Sequence, residues 1–593
     1  MFFTKFDPLT TEYVSEKVGA APAAAGESCP CLAGMKFAVK LEGSFAPKKF
    51  SYEILDEKEL TVTEGRKKTK APYAAVSQGP ITILTHLIPG TDRGWHLVID
   101  RRTWAVTAFE TWFGISVPVG GDLFGMREPD HYRDIPREIQ RQYYFGWIDK
   151  GDNEKPEKLH TTTNRIEGRG LHWKYDCGYE ILTFNPSVVC TTLTELGGEM
   201  GGITMTNPAD YIRIDDENYI YARWEVEFSG KMWLAVMNFF DFTAAGVELG
   251  FGEDNELCYR LNRAELELTG DVAHLEKITD FGDKERPMAA MFQKKGGRYS
   301  YRPADIDIPM TREEALEHAK QQFILGGGQN IMASGNNLAQ SFALVGKKFK
   351  VWNDNEKYAQ APWSGDAGKP WEYEIVDGGT LRWRHGGRAW KEEKYLCFEP
   401  DKELYFFAHI LSGDPDCSMA AQIIDLKTGL ATTIKTGVGN WHSEWEAGAN
   451  VLFGTVEIPG GPKAPFARRH HFTDELVGCS FAWAYSETMS SIHVYSSPES
   501  YSWTIFSGDN SGGATWSSPC FYIKLRPDVY LFQWVEENCN GSQGLVIMNR
   551  KTQHDGGFFY GVSHNGLQLN ITGAFMRELG KFRIKKYFDH TPE

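Results

Sequence analysis

Apolar and polar positions alternate with a period of two in many short stretches of this chain. YIYARWEVEF (219–228), VYLFQWVEE (529–537), ELYFFAHIL (403–411) and TLRWRHGG (380–387) combine that alternation with aromatic and β-branched residues, the pattern of β-strands. Turn-forming residues such as Asp377-Gly378-Gly379 and Gly556-Gly557 separate such runs. A helical pattern stands out at 311–323 (TREEALEHAKQQF), opened by a Thr311-x-x-Glu314 capping box. Its position predicts a helix at the join between two halves.

Two halves are expected because the pattern repeats. HTTTNRIEGRGLHWKY (160–175) and HHFTDELVGCSFAWAY (470–485) share His160/His470, Thr163/Thr473, Gly168/Gly478, Trp173/Trp483 and Tyr175/Tyr485, 310 positions apart. Further on, Pro208/Pro519, Tyr211/Tyr522, Tyr219/Tyr530, Glu225/Glu536, Gly246/Gly557 and Gly250/Gly561 recur 311 apart. Before each copy, FSYEILD (50–56) matches WEYEIVD (371–377), and His86/His409 and Asp100/Asp425 follow in order. A repeat of this kind sets the architecture. It predicts a mainly β chain of four antiparallel β-barrel units in two tandem halves, at 35–120, 160–277, 340–440 and 468–590. The Pro- and charge-rich 121–159 segment reads as a connector or as a lid over a barrel mouth.

Composition narrows the function. A formal net charge of −16 argues against a phosphate-binding surface, so nucleic acid is not the expected partner. No run approaches the apolar length of a membrane helix, the first residues lack a secretory pattern, and the ten cysteines are scattered apart from Cys29-Pro30-Cys31. A cytoplasmic protein without a metal or other cofactor, taking a small molecule as its partner, is the expectation; the oligomeric state stays open. Gly326-Gly327-Gly328 lacks the Lys-Ser/Thr of a phosphate loop, and no nucleophile elbow or dinucleotide fingerprint appears in context.

Candidate chemistry sits on the repeated strand. Tyr219, Tyr221, Arg223, Glu225 and Glu227 share one face of 219–228, and Ile220, Ala222, Trp224, Val226 and Phe228 the other. A surface strand would turn the charged face to water. In the partner copy, however, Tyr530, Phe532 and Trp534 share the face of Glu536, the pattern of a barrel lining in which a carboxylate has a raised pKa and works as an acid or base. Arg223 would hold Glu225 ionised or anchor a substrate carboxylate. Trp173 and Tyr175, like Trp483 and Tyr485, point to one face as a stacking wall and a hydrogen-bond donor, or as core packing. The paired histidines His160/His470 and His86/His409 are either proton carriers or structural.

These residues resemble the MoaF-like family (molybdenum cofactor biosynthesis protein F-like), of the calycin superfamily, in WEYEIVDGGTLRW (371–383), AQIIDLKTGLAT (421–432), HHFTDELVG (470–478), HVYSSPESYSW (493–503) and YLFQWVEE (530–537). The first half carries PADYIRID (208–215), YIYARWEVEFSG (219–230) and GVELGFGED (246–254). The last unit also resembles the cofactor-free phenolic acid decarboxylases. Their Gly-x4-Tyr-x-Tyr strand aligns with Gly478, Trp483 and Tyr485 and with Gly168, Trp173 and Tyr175. Their Tyr-x5-Glu strand aligns with Tyr530 to Glu536 and Tyr219 to Glu225. The chain departs from that pattern where tryptophan replaces the first tyrosine and where Gly513 stands near the expected arginine. The resemblance implies calycin- or lipocalin-like barrels and a cofactor-independent lyase, isomerase or cyclase working by proton transfer, decarboxylation included, on an aromatic or natural-product-like substrate. Glu225, Tyr175 and Arg223, with Glu536 and Tyr485, would be catalytic. Trp173, Tyr219, Tyr221, Glu227, Trp483, Tyr530, His160 and His470 would bind substrate. A lipocalin-like carrier without chemistry is the alternative. Units one and three lack the glutamate strand and read as scaffold or pocket walls. The charged residues around Glu225 point to unit two as the reactive barrel.

Overall fold

The computed structural model describes residues 9–43, 46–114, 137, 139–186, 190–197, 201–225, 230–252, 254–272, 293–294, 298–299, 335–354, 368–414, 418–438, 447–487, 489–507, 515–536, 542–563 and 566–588. The helix expected at 311–323 lies outside these residues. Within them the chain is mainly β and forms four closed or nearly closed antiparallel barrels.

In the first barrel, strands Phe50–Ile54 and Lys36–Leu41 continue through Ile139–Asp149 to Ala105–Phe113, Arg93–Asp100 and Ile81–Leu87. Ile139–Asp149 pairs with both Lys36–Leu41 and Ala105–Phe113. The barrel therefore extends beyond 35–120 and takes in part of the presumed connector, because its two flanking strands would otherwise be open edges. Likewise the third barrel needs Ala447–Glu457, which joins Lys348–Asn353 to Leu430–Val438, beyond the 340–440 boundary. The second barrel closes where Thr204–Arg213 pairs with Asn218–Trp224, and the fourth where Thr515–Arg526 pairs with Val529–Glu536.

Register shows the duplication residue by residue. Tyr211 faces Tyr221 as Tyr522 faces Phe532, and Trp173 faces Leu266 as Trp483 faces Met576. Closing such small barrels brings backbones together at glycines. A Cβ on Gly146 or Gly454 would lie 2.1 or 1.8 Å from the carbonyl oxygen of Lys40 or Trp352, so only glycine fits. The equivalent Thr206 and Ser517 hydroxyls meet at 2.8 Å, so barrels two and four face each other through the same surface.

Each barrel has its own apolar interior, and further clusters join barrel one to two and barrel three to four. An N-terminal helix, Thr11–Gly19, adds Val14 and Val18 to the cluster between barrels one and two, with the Thr10 hydroxyl accepting from the Tyr13 N–H at 3.1 Å. These joints explain an inversion. On strand Asn218–Trp224 the apolar residues Ile220, Ala222 and Trp224 point out of the barrel into that joint, while Tyr219 and Tyr221 point inward. Both faces are buried. The strand is not a surface strand with its charges in water, because the neighbouring barrel covers its outer face.

Candidate functional site

The inward face of that strand places Arg223 next to Trp233, its cross-strand partner, with the guanidinium carbon 3.7 Å from the indole centre. Arg223 is 1% exposed, and its Nε and Nη2 have no hydrogen-bond partner. Burial works against its charge, yet Tyr221, Tyr179, Tyr175 and Glu195 surround it and keep its pKa above that of a free arginine. A buried guanidinium with unused N–H donors is prepared for an anion. Below it, Trp173 stacks on Tyr175 (6.1 Å, 11°) and packs on Tyr221 (5.2 Å). The Trp173 indole N–H donates to Thr183 (2.9 Å) and the Tyr221 hydroxyl to Thr191 (3.1 Å). Burial raises the Tyr175 phenol well above its ordinary range and that of Tyr221 to about 12, so both stay protonated as donors.

Glu195 acts on the guanidinium, and Glu225 acts on Glu195. Glu195, on strand Cys190–Glu195, accepts from the Tyr179 hydroxyl at 2.9 Å, and burial raises its pKa. Glu225 is buried at the strand end, where its carboxylate accepts the Gly230 N–H at 3.2 Å. Glu195 and Tyr179 were missed from the sequence. Glu195 shares a face with Thr191 and Leu193 in a threonine-rich strand, and that alternation is the one signal that marked it. Asn207, also inward-facing and fully buried, leaves both its side-chain oxygen and nitrogen unpartnered.

The structure brings Trp173, Tyr175, Tyr221, Arg223 and Glu225 to the second barrel. Tyr219 is elsewhere: its hydroxyl donates to the Asp216 carbonyl at 3.2 Å, about 13 Å along the strand from Arg223. Glu227 and the Glu536 side chain lie outside the described residues. In barrel four Tyr485 is held by His493 and Ser491, each 3.3 Å from its hydroxyl. Tyr530 donates to Glu475 at 2.7 Å, and Trp483 packs on His493 at 5.3 Å. There Phe532 and Trp534 replace Tyr221 and Arg223. Equivalent registers put His493, Tyr501 and Trp503 where barrel two has Thr183, Thr191 and Leu193. Aromatic rings fill that interior.

The paired histidines take another place. His160 lies 2.8 Å from Thr107 of barrel one, and His470 lies 2.8 Å from Thr432 of barrel three. Each sits at the joint within its half, and burial lowers each pKa to about 4. His86 and His409 sit inside barrels one and three beside Tyr52 (3.0 Å) and Tyr373 (3.4 Å), also lowered to about 4. All four are enclosed, and burial disfavours their charged form. Among the described residues no group of His, Cys, Asp and Glu could hold a metal ion, and no helix is long and apolar enough to cross a membrane.

The described residues thus form a tandem of antiparallel barrels, the second of which buries the Arg223 guanidinium among aromatic side chains. Residues 470–581, which form barrel four, match the MoaF C-terminal domain family. The protein MoaF of Klebsiella aerogenes is 29% identical over 90 residues, 15% of this chain and 34% of that protein. These matches show that barrel four is similar to the MoaF C-terminal domain, and the chain spans about a third of the length of the curated relative. A crystal structure described as "a putative beta-lactamase from Burkholderia vietnamiensis" is 17% identical with a TM-score of 0.16, covering 18% of this chain and 95% of that one. At that score the likeness carries no argument.

Proposed function

We propose that the second barrel binds a small aromatic carboxylate and carries out cofactor-independent proton transfer on it, as an isomerase or lyase. The observation that supports this reading is the buried Arg223 guanidinium with unpartnered Nε and Nη2, enclosed by Tyr175, Tyr221 and Trp233. The substrate carboxylate would pair with Arg223, its ring would lie along Trp173, and the phenols of Tyr175 and Tyr221 would donate to its oxygens. Glu195 is the better proton carrier of the two carboxyls. Burial raises its pKa and the Tyr179 hydroxyl holds it in place, while Glu225 is engaged by the backbone at Gly230. A positioned acid or base supplies about 10²–10⁴-fold of rate.

The test is incubation with 4-hydroxycinnamate in deuterated water, followed by NMR for carbon-bound deuterium or loss of the carboxyl group. Turnover that falls by about that factor in Glu195→Gln supports the reading. Substrate that binds wild type and is recovered unchanged, without deuterium, makes barrel two a carrier. Failure of any small aromatic carboxylate to bind refutes it.

A further inference from the structure

We propose that barrel three holds a second ligand site, separate from Arg223, for a small, flat, neutral aromatic molecule bearing a carbonyl and a hydroxyl oxygen. The duplication supplies the internal comparison. In barrel one, Trp95 lies opposite His86 and fills the interior: its ring sits 4.6 Å from Phe50 and its N–H donates to Glu64 at 3.0 Å. Arg93 joins Glu64 (3.3 Å) and Glu110 (2.7 Å). That end of barrel one is plugged by its own side chains.

Barrel three replaces the plugging residues. Ala420 lies opposite His409 and next to Lys435, as Trp95 lies opposite His86 and next to Glu110. By the same registers Ser418 stands where barrel one has Arg93. An indole has become a methyl group and a guanidinium a hydroxyl. In compensation Trp371 and Trp383 occupy the places of Phe50 and Val62, and they form a wall. Trp371 stacks on Trp383 at 5.6 Å and on His385 at 4.5 Å.

The wall leaves polar atoms without partners. The indole N–H groups of Trp371 and Trp383, the Ser418 hydroxyl and the Asn450 Oδ1 have none, and these residues are 2%, 7%, 0% and 1% exposed. Each such atom is costly, and native interiors seldom gather several on one lining. Their chemistry describes the missing partner. Indole N–H groups only donate, so the ligand presents a carbonyl or similar oxygen; an amide oxygen only accepts, so the ligand also presents a hydroxyl. The stacked rings favour a flat molecule. Lys435 is already paired with Asp414 at 3.4 Å, which favours a neutral ligand over the anion suited to Arg223.

The test is calorimetric titration of the full chain with 7-hydroxycoumarin in its neutral form. Wild type should bind one equivalent, Ser418→Ala should weaken binding roughly fivefold for one lost hydrogen bond, and Ala420→Trp should weaken it by about tenfold or more by restoring the barrel-one plug. Arg223→Met should leave it unchanged. If Ala420→Trp does not fold, Ser418→Ala decides. Absence of binding to wild type, binding that neither barrel-three variant alters, or binding lost in Arg223→Met overturns the proposal.

Discussion

Replacing Arg223 by methionine should stabilise the ligand-free protein while removing its grip on an anion. Methionine keeps the apolar stem and deletes the charge. The lost contact with Trp233, 3.7 Å from the guanidinium carbon, is worth about 2 kcal/mol when desolvated. Against it, the unpartnered Nε and Nη2 each cost about 1–3 kcal/mol. The net expectation is about 1–3 kcal/mol of added stability. Several barrels in one chain make a single unfolding free energy ill-defined, so the readout is amide exchange in strands Asn218–Trp224 and Met232–Asn238, which reports local opening. Affinity for 4-hydroxycinnamate should fall by 2–5 kcal/mol, about 30-fold or more. Faster exchange in the variant together with unchanged affinity would refute the reasoning.

Three further outcomes follow from buried groups. Burial raises the Asp555 carboxyl to about 8, so the folded state holds a proton that the unfolded chain releases near pH 4. The Asp555 contribution to stability is then fully present below that pH and is lost as pH rises to about 8, by on the order of 5 kcal/mol; Asp555→Asn should remove this part of the pH dependence of the urea midpoint across that window. His86, His160, His409 and His470 are lowered to about 4, and His96 and His493 to about 3. The contribution of these histidines should therefore fall as pH drops from about 6.5 towards 4, by up to about 3 kcal/mol per histidine, and the double variant His160→Gln/His470→Gln should lose less stability than wild type over that window. In Gly454→Ala the new Cβ would lie 1.8 Å from the Trp352 carbonyl oxygen, so differential scanning calorimetry should show a transition lost or lowered by several degrees, about 1–3 kcal/mol or more.

Strand content, the duplication and the barrel class were legible because alternation and turn residues are local and the repeat preserves order. Pairing of Tyr221 and Arg223 with Trp173 and Tyr175 was legible too, since strand parity alone puts the members of each pair on one face. Which face pointed inward was not. Ile220, Ala222 and Trp224 look like a core face, and they are one, but the core lies between barrels. The closing strand Ile139–Asp149 follows a long connection, so local pattern did not attach it to its barrel. The histidines recur because both halves build the same joint, with Thr107 and Thr432 as partners; recurrence alone cannot distinguish a joint from a reaction centre. Glu195 faces Arg223 only after the barrel closes.

A crystal structure of the chain soaked with 4-hydroxycinnamate tests the central claim most directly. The carboxylate should lie inside barrel two, about 2.7–2.9 Å from Nε and Nη2 of Arg223, with the ring along Trp173. A barrel-two interior closed by its own side chains around Arg223, with the ligand absent or bound elsewhere, would contradict it.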